Sequence, residues 1–420
     1  MSNRRPPGII KQSGDVMPKK ILIICLFIVT ANFLTACWSQ KELTDIAFVV
    51  ALGIDKNEKG DIVATLQVVN PKNVAGSSRY SGEQGPPVTI YTGYGRTILE
   101  ATREAMDHIS RIIYYSHTNL VVISEDLAKE GVIELFDALE RSIQIRITAK
   151  LVIARQTTAE EFLQILAPID QIPATKIIKI LDYSERFWGG SINTDVGNFI
   201  DEAYLAGADP VVTGFIIEGD REKGKTEEGL KQAKVAAQIL TDAIGIFKDG
   251  KLVGWAEEDS ARGILWVRGK VRNSAIAFDW KEHKKAFSYR VMRTKSKVEP
   301  QLKNGKPSFH IHIDTEGNLA EVHVPIDLSD PDLINELEKS IEKKIKQEVL
   351  AAVQLSKEKK SDFLMLGNKL RVHYPKYWTK HLKEWRESIL PDLDVSVSVH
   401  SYIRRTESRI KPYYYEMKEN

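Results

Sequence analysis

Short apolar runs alternate with segments of helical spacing through the first half of the chain. Apolar residues at every second position predict strands, and apolar residues three and four apart predict helices packed on them. Residues 70–88, rich in Pro, Gly and Ser, predict a loop. The predicted strands are Ile46–Ile54, Ile62–Val69, Leu120–Ser124 and Ile147–Ala154, and the predicted helices are Thr97–Ile113, Glu125–Ser142, Thr158–Leu166 and 174–205, broken at Gly189-Gly190.

Strands dominate the second half, after a charged stretch from Gly219 to Lys234. Alternating segments on both sides of Lys248–Lys251 indicate a hairpin. Apolar residues four apart predict a long helix at Asp330–Lys357, and 361–390 is a further helical region. The predicted strands are 243–247, 252–256, 272–279, 286–298, 308–314, 319–324 and 393–403.

These patterns predict a mixed α+β and α/β fold, in which mixed sheets are flanked by helices. A chain of 420 residues suggests about two or three domains. The expected segments are an α/β region at 37–205, a charged linker or loop at 206–234, an α+β region at 235–409 and a polar tail at 410–420.

The amino-terminal segment has the pattern of an export signal. Lys19 and Lys20 precede the apolar run 21–36, which ends in small residues. A helix of this length spans about 24 Å, less than the ~30 Å hydrocarbon core of a bilayer. Met17 is an alternative start, because the residues that follow it already supply a basic region.

The end of this segment, Leu34-Thr35-Ala36-Cys37, resembles the lipobox of bacterial lipoproteins. The resemblance implies that residues 1–36 are a lipoprotein signal peptide, cleaved between Ala36 and Cys37. It also implies an S-diacylglyceryl, N-acylated (palmitoylated) cysteine at Cys37, and such a set of acyl chains anchors a protein stably to a membrane. The alternative is that Cys37 is a buried small residue at the end of an uncleaved helix.

Composition excludes several classes of protein. The hydrophobic fraction of 43% and charged fraction of 28% are those of a folded protein. A net charge of +2 offers no overall field for nucleic acid. Two cysteines exclude a disulfide scaffold, and a mean hydropathy of −0.25 excludes a polytopic membrane protein.

One segment, Gly219–Thr226, fits the spacing of a phosphate-binding loop and follows an apolar run. Nucleotide binding is nevertheless disfavoured. Asp220 and Glu222 would place carboxylates beside the phosphates, and an exported protein meets no cytoplasmic ATP. A solvated loop is the favoured interpretation. Gly93-Tyr94-Gly95 lacks the third glycine of a dinucleotide fingerprint, and a plain turn is favoured there.

His310 and His312 share one face of a predicted strand, and His323 on the next predicted strand is a conceivable third metal ligand. No recognised ligand spacing accompanies them, so an exposed strand face is favoured and no metal or cofactor is expected. No catalytic signature such as H-E-x-x-H or G-x-S-x-G is present, and no catalytic residue is assigned. The aromatic residues Tyr374, Tyr377, Trp378 and Trp385 fit either a partner-binding face or a domain core.

Many short motifs, in order along the chain, resemble the Ger(x)C family, the lipoprotein C subunits of spore germinant receptors. The similarity extends from Cys37 to about Glu407, although Ser39 replaces an aspartate of the family pattern. The motifs are Cys37–Leu43, Asp45–Asp55, Gly95–Thr97, His117 to Ala128, Gly131, Arg141, Ala243–Phe247, Leu252–Trp255, Arg262–Trp266, Leu366-Gly367, Tyr374-Pro375, Trp378 and Val395–Val399.

The resemblance implies a non-enzymatic receptor subunit without a cofactor, anchored by lipid on the outer face of the inner spore membrane or on the cell membrane. It implies two integral-membrane partners, the A- and B-type receptor subunits, and a role in triggering germination by nutrients. The alternatives are a solute-binding lipoprotein of a nutrient importer and a surface hydrolase whose carboxylates pair only in three dimensions. Neither alternative explains the order of the motifs.

Overall fold

The structure is a computed structural model that describes residues 20–21, 23, 45–75, 85–141 and 145–405. By its contacts the chain divides between Ile46 and Ala47, and the unit that begins at Ala47 holds both sheets. Among the described residues, no helix is both long and apolar enough to cross a bilayer.

A large mixed sheet occupies the first part of this unit. Its strands run in the order β3-β2-β1-β5-β6-β7-β8-β9, and β4 also pairs with β1. The inner strands β1, β5, β6 and β7 are parallel, whereas the strands on either side pair antiparallel. The bounds are β1 Ile46–Lys56, β2 Ile62–Val69, β3 Val88–Gly95, β4 Ile112–Tyr114, β5 Leu120–Ser124, β6 Lys150–Ala154, β7 Val211–Gly219, β8 Ala237–Lys248 and β9 Lys251–Ala256.

Helices cover both faces of the large sheet, which explains why every residue of β5 is buried. Val121 and Ile123 pack on one face with α2, α4 and α7, and Leu120 and Val122 pack on the other face with α5 and α6. The helices of this part are α1 Pro71–Ala75, α2 Ile98–Asp107, α3 Glu125–Glu130, α4 Ile133–Arg141, α5 Ala159–Gln164, α6 Pro173–Tyr183, α7 Val196–Tyr204 and α8 Arg221–Gly224.

A smaller sheet, in the order β10-β11-β12-β13, follows. Its last pair is parallel, and the other pairs are antiparallel. One face is covered by helices, chiefly α10, whose Leu337, Ile341, Ile345 and Val349 are buried. The other face carries polar side chains. The bounds are α9 Glu258–Val267, β10 Ala275–Trp280, β11 His283–Lys303, β12 Lys306–Val322, α10 Pro331–Lys359, α11 Leu366–His373, α12 Pro375–His381 and β13 Asp394–Arg405.

Two hairpins have the turn chemistry that their geometry requires. Asp249-Gly250 joins β8 to β9 with φ of 50° and 74°, and Asn304-Gly305 joins β11 to β12 with φ of 51° and 75°. Positive φ at both central residues matches the right-handed twist of the flanking strands, and Asn-Gly and Asp-Gly adopt it readily. The hairpin predicted at Lys248–Lys251 is confirmed.

Several predictions of local structure are wrong, among them the end of the helix predicted at Thr97–Ile113, since Ile112–Tyr114 is the strand β4. The helix predicted at Glu125–Ser142 is two helices, because Gly131 between them has a φ of 133°. The strands predicted at 308–314 and 319–324 are one strand, β12, whose pairing tolerates a bulge at Gly317-Asn318. Gly93-Tyr94-Gly95 is not a turn but the end of β3, where the absence of a Cβ at Gly93 lets α2 approach closely.

The segment 206–234, expected as a charged linker or loop, contains β7. The apolar run that precedes Gly219 is this strand. It pairs with β6 in parallel and with β8 in antiparallel direction. The fold class, with two mixed sheets and flanking helices, is confirmed. The segment boundaries stay predictions.

The contact between α9 and α10 leads to a test of packing. A Cβ at Gly263 in α9 would lie 2.0 Å from the Glu348 carbonyl oxygen of α10. We expect Gly263→Ala to lower the free energy of unfolding by about 1–3 kcal/mol through overpacking, measured by urea denaturation.

The control is Gly197→Ala in α7, where the nearest atom would lie 3.4 Å away. This substitution should stabilise by about 0.5–1 kcal/mol, because alanine favours helix. Equal effects of the two substitutions would contradict the tight α9–α10 contact.

Candidate functional site

The two residues with a predicted chemical role, Ala36 and Cys37, lie outside the described residues. Cleavage between them and lipidation of Cys37 therefore stay predictions. Three other places carry chemistry that the structure does describe: the loop at 219–226, the polar face of the smaller sheet, and a buried pair of carboxylates between the sheets.

The loop Gly219–Thr226 makes internal contacts in place of a phosphate cradle. The Asp220 side chain caps the short helix α8 by accepting a hydrogen bond from the Lys223 N–H at 3.1 Å. The Lys225 ammonium donates to Glu222 at 2.6 Å and lies 3.6 Å from Glu161 of α5. The bond to Glu222 raises the pKa of Lys225. This arrangement favours the interpretation as a surface loop, because the lysine that would reach a phosphate already lies between two carboxylates.

The histidines of the smaller sheet lie partly as the sequence predicts. His310 and His312 project from the same face of β12, and both rings contact Ser398 of β13, at 2.8 Å and 2.9 Å. His323 does not join them, because it follows the end of β12 and its ring lies 3.5 Å from Glu321. The conceivable metal site made of His310, His312 and His323 is therefore not formed.

Two residues that the sequence analysis does not single out lie beside His312. The parallel register of β12 and β13 places Asp314 opposite His400. The His312 Nε2 atom lies 2.9 Å from the Asp314 Oδ1 atom, and the His400 Nδ1 atom lies 3.6 Å from the same oxygen. The alternation along β12 indicates in the sequence that His312 and Asp314 share one face of a strand. The sequence does not indicate that β12 pairs with β13, some 80 residues further along.

A pair of buried carboxylates joins the segment before β7 to the segment after α10. Asp362 accepts hydrogen bonds from the Leu366 and Gly367 N–H groups at 2.8 Å and 2.6 Å, and from the Trp385 indole at 2.9 Å. Asp209 accepts from the Asp362 N–H at 2.7 Å. Burial raises the pKa of Asp362 to about 7 and that of Asp209 to about 6.

Arg386 supplies the charge that partly compensates this pair. Its Nη2 atom donates to Asp209 at 2.6 Å and to the Ala208 carbonyl at 3.1 Å, and its Nη1 atom donates to Asp249 at 2.5 Å. The Arg386 charge moderates the rise in the pKa of Asp209. We call Asp209, Asp362, Trp385 and Arg386 the carboxylate junction.

An open recess of about 460 Å³ lies beside β1 on the large sheet. Small-molecule pockets are lined mostly by apolar side chains with a few placed polar groups. This recess has a mainly apolar lining that includes three polar side chains, so it fits a small molecule as well as another apolar surface. The lining residues are Phe48, Val50, Val69, Pro71, Val74, His117, Asn119, Ile172, Ala174, Thr175 and Ile178.

Comparison with known proteins identifies the family. Residues 39–217 match the model of a spore germination protein N-terminal domain, and residues 242–407 match the spore germination B3/GerAC-like C-terminal model. The chain is 35% identical over 407 residues to spore germination protein KC of Bacillus subtilis (strain 168), covering 96% of this chain and 100% of that protein. The chain belongs to the Ger(x)C family.

Two further Ger(x)C relatives extend the comparison. Spore germination protein B3 of the same organism is 27% identical, over 84% of this chain and 90% of that protein. The crystal structure of the GerBC protein has the same fold, with a TM-score of 0.52 at 21% identity over 84% of this chain and 96% of that chain. As a member of the Ger(x)C family, the chain is a germinant-receptor protein that takes part in spore germination.

The Ger(x)C motifs near the carboxyl end have structural roles at the carboxylate junction. Leu366 and Gly367 donate their backbone N–H groups to Asp362, and a Cβ at Gly367 would lie 2.8 Å from the Gly207 Cα. Trp378 and Trp385 are 4% and 2% exposed and pack ring against ring at 5.5 Å. Of the two interpretations of the aromatic cluster, the core is therefore correct for the tryptophans, whereas Tyr374 and Tyr377 are half-buried.

The carboxylate junction predicts a pH-dependent effect of removing Arg386. We expect Arg386→Met to lower the free energy of unfolding by about 2–3 kcal/mol at pH 8, because it leaves the buried Asp209 charge without its partner. The loss should be smaller at pH 5. Burial raises the pKa of Asp209 from 3.8 to about 6, so its carboxyl is mostly neutral at pH 5 and needs no cationic partner there. The stability that its protonation contributes is complete below about pH 3.8 and is lost as pH rises through about 6. Urea unfolding at both pH values measures the difference.

The control for this prediction is Arg371→Met. Arg371 is also half-buried, but its guanidinium bonds the neutral Asn368 side chain. We expect a change within about 0.5 kcal/mol at either pH. An equal loss for Arg386→Met at pH 5 and pH 8 would show that the arginine does not act through the charge of Asp209.

Proposed function

We propose that the chain is the non-enzymatic C subunit of a nutrient germinant receptor, anchored by lipid on the outer face of the inner spore membrane. It acts together with A- and B-type integral-membrane subunits. The observation that carries this proposal is the similarity to spore germination protein KC along the whole length of that protein. We divide the anchored body into three segments, which are 37–205, 206–234 and 235–409.

The lipobox-like sequence Leu34–Cys37 supports the anchor. A diacylglyceryl group holds a protein stably at a membrane, where a single acyl chain would exchange. Only residues 38–45 separate Cys37 from β1, and a peptide of this length spans at most about 30 Å. The anchor would therefore confine the body to a thin layer above the membrane and raise its effective concentration near integral partners.

The partners of the buried carboxylates support a non-enzymatic role. Each carboxylate of the junction accepts a hydrogen bond from a backbone N–H. In addition, Trp385 donates to Asp362 and Arg386 donates to Asp209. Glu348 of α10 is fully buried and accepts from the Trp266 indole and from Arg262. Carboxylates held in this way stabilise the fold, whereas a general acid or base needs access to a substrate.

The anchor leads to a direct genetic test. In a Cys37→Ala strain we expect the protein to leave the membrane fraction and germination with the cognate nutrient to slow, because the tether to the partner subunits is lost. Immunoblots of membrane and soluble fractions, together with germination kinetics, measure both effects. The control is Cys25→Ala, which changes the other cysteine of the chain within the apolar segment and should leave both readouts unchanged.

The two readouts separate the parts of the proposal. Loss from the membrane with normal germination would contradict the tether mechanism. Full retention in the membrane of a Cys37→Ala protein that has lost residues 1–36, as its mass would show, would contradict lipid anchoring at this residue.

A further inference from the structure

The polar face of the smaller sheet brings two imidazoles and one carboxylate together. Ligand atoms of His312, Asp314 and His400 all lie within 4.8 Å of one another. The separations from the Asp314 Oδ1 atom are 2.9 Å to His312 and 3.6 Å to His400. Ligands bound to zinc at about 2.0–2.1 Å in tetrahedral geometry lie about 3.3–3.4 Å from one another, between these two separations.

We propose that His312, Asp314 and His400 bind a divalent transition-metal ion, zinc being the ion whose geometry they fit. Imidazole nitrogen and carboxylate oxygen are common protein ligands of zinc. Three protein ligands leave a fourth position for water. The exposure of the His400 side chain, 56%, provides a path for the ion from solvent.

Ser398 positions the His312 ring for this role. The His312 Nδ1 atom lies 2.9 Å from the Ser398 hydroxyl, so a proton on Nδ1 leaves the Nε2 lone pair directed at Asp314. With the proton on Nε2 instead, His312 donates to Asp314 and accepts from the Ser398 hydroxyl, and a metal ion bound here takes the place of that proton. Hydrogen bonds from the non-ligating nitrogen typically orient metal-binding histidines in this manner.

The backbone that carries the three residues is held from the opposite face of the sheet. Ile311 and Ile313 alternate with the ligands along β12 and are fully buried. Parallel pairing with β13 fixes Asp314 opposite His400 and His312 opposite Ser398. Sites on regular strands with a buried reverse face keep their ligands in place better than sites on loops.

Neighbouring charges set the expected affinity. Lys295 of β11 lies opposite Asp314 on the same face and repels a cation. Lys297, opposite His312, forms an ion pair with Glu299. With one carboxylate and one nearby lysine, we expect the dissociation constant for zinc to lie in the micromolar range.

Titration of the metal-free full-length chain in detergent tests the site. After treatment with a chelator and dialysis, we expect calorimetry to detect one equivalent of bound Zn²⁺. Co²⁺ should produce the visible absorption bands of tetrahedral coordination. His400→Ala and Asp314→Asn should each weaken binding about 100-fold or more, since even loss of a supporting residue costs about 10–100-fold. Ser398→Ala should weaken it about tenfold.

His323→Ala is the matched control, because His323 is also an exposed histidine near a carboxylate but lies outside the cluster. It should leave binding unchanged, and the circular dichroism of every variant should match that of the parent. Absence of binding, or an equal loss in His323→Ala, would overturn the proposal. A melting temperature that does not rise on addition of Zn²⁺ would also overturn it.

Discussion

Asp362 is the buried group on which the connection between the two sheets depends. It is completely buried and accepts two backbone N–H groups and one indole N–H, while its own N–H reaches Asp209. A buried carboxylate without such donors would cost several kcal/mol. The donors are available only when the chain turns at 362–367, so this turn fixes where α11 starts relative to the loop before β7.

The rest of the junction follows from that turn. The Asn368 N–H donates to the Gly207 carbonyl at 2.8 Å, and a side chain at either Gly207 or Gly367 would prevent this approach. Arg268 adds a bidentate pair with Glu202 and donates to the Phe363 carbonyl. Backbone and side-chain bonds thus join segments that lie about 150 residues apart in the sequence, and the core beside them packs β7 and β8 with the smaller sheet and its helices.

The sequence predicts local elements well where one periodicity holds over many residues. Leu337, Ile341, Ile345 and Val349 of α10 are buried as their spacing indicates, and β2 has the predicted bounds. The prediction fails where a single residue overrides a pattern, as Gly131 does between α3 and α4. It also fails where tertiary pairing supplies the information. His400 meets Asp314 only because β13 pairs with β12 in one register, and the donors to Asp362 come from a turn that has no periodicity.

The account rests on attachment of this body to a membrane through Cys37, and the intact mass of the chain extracted from the inner membrane of spores tests it most directly. The account predicts a chain that begins at Cys37 and carries the added mass of a diacylglyceryl group and an amide-linked acyl chain. An unmodified chain that retains residues 21–36 would contradict it, because the body would then be held by an uncleaved apolar segment in place of a lipid.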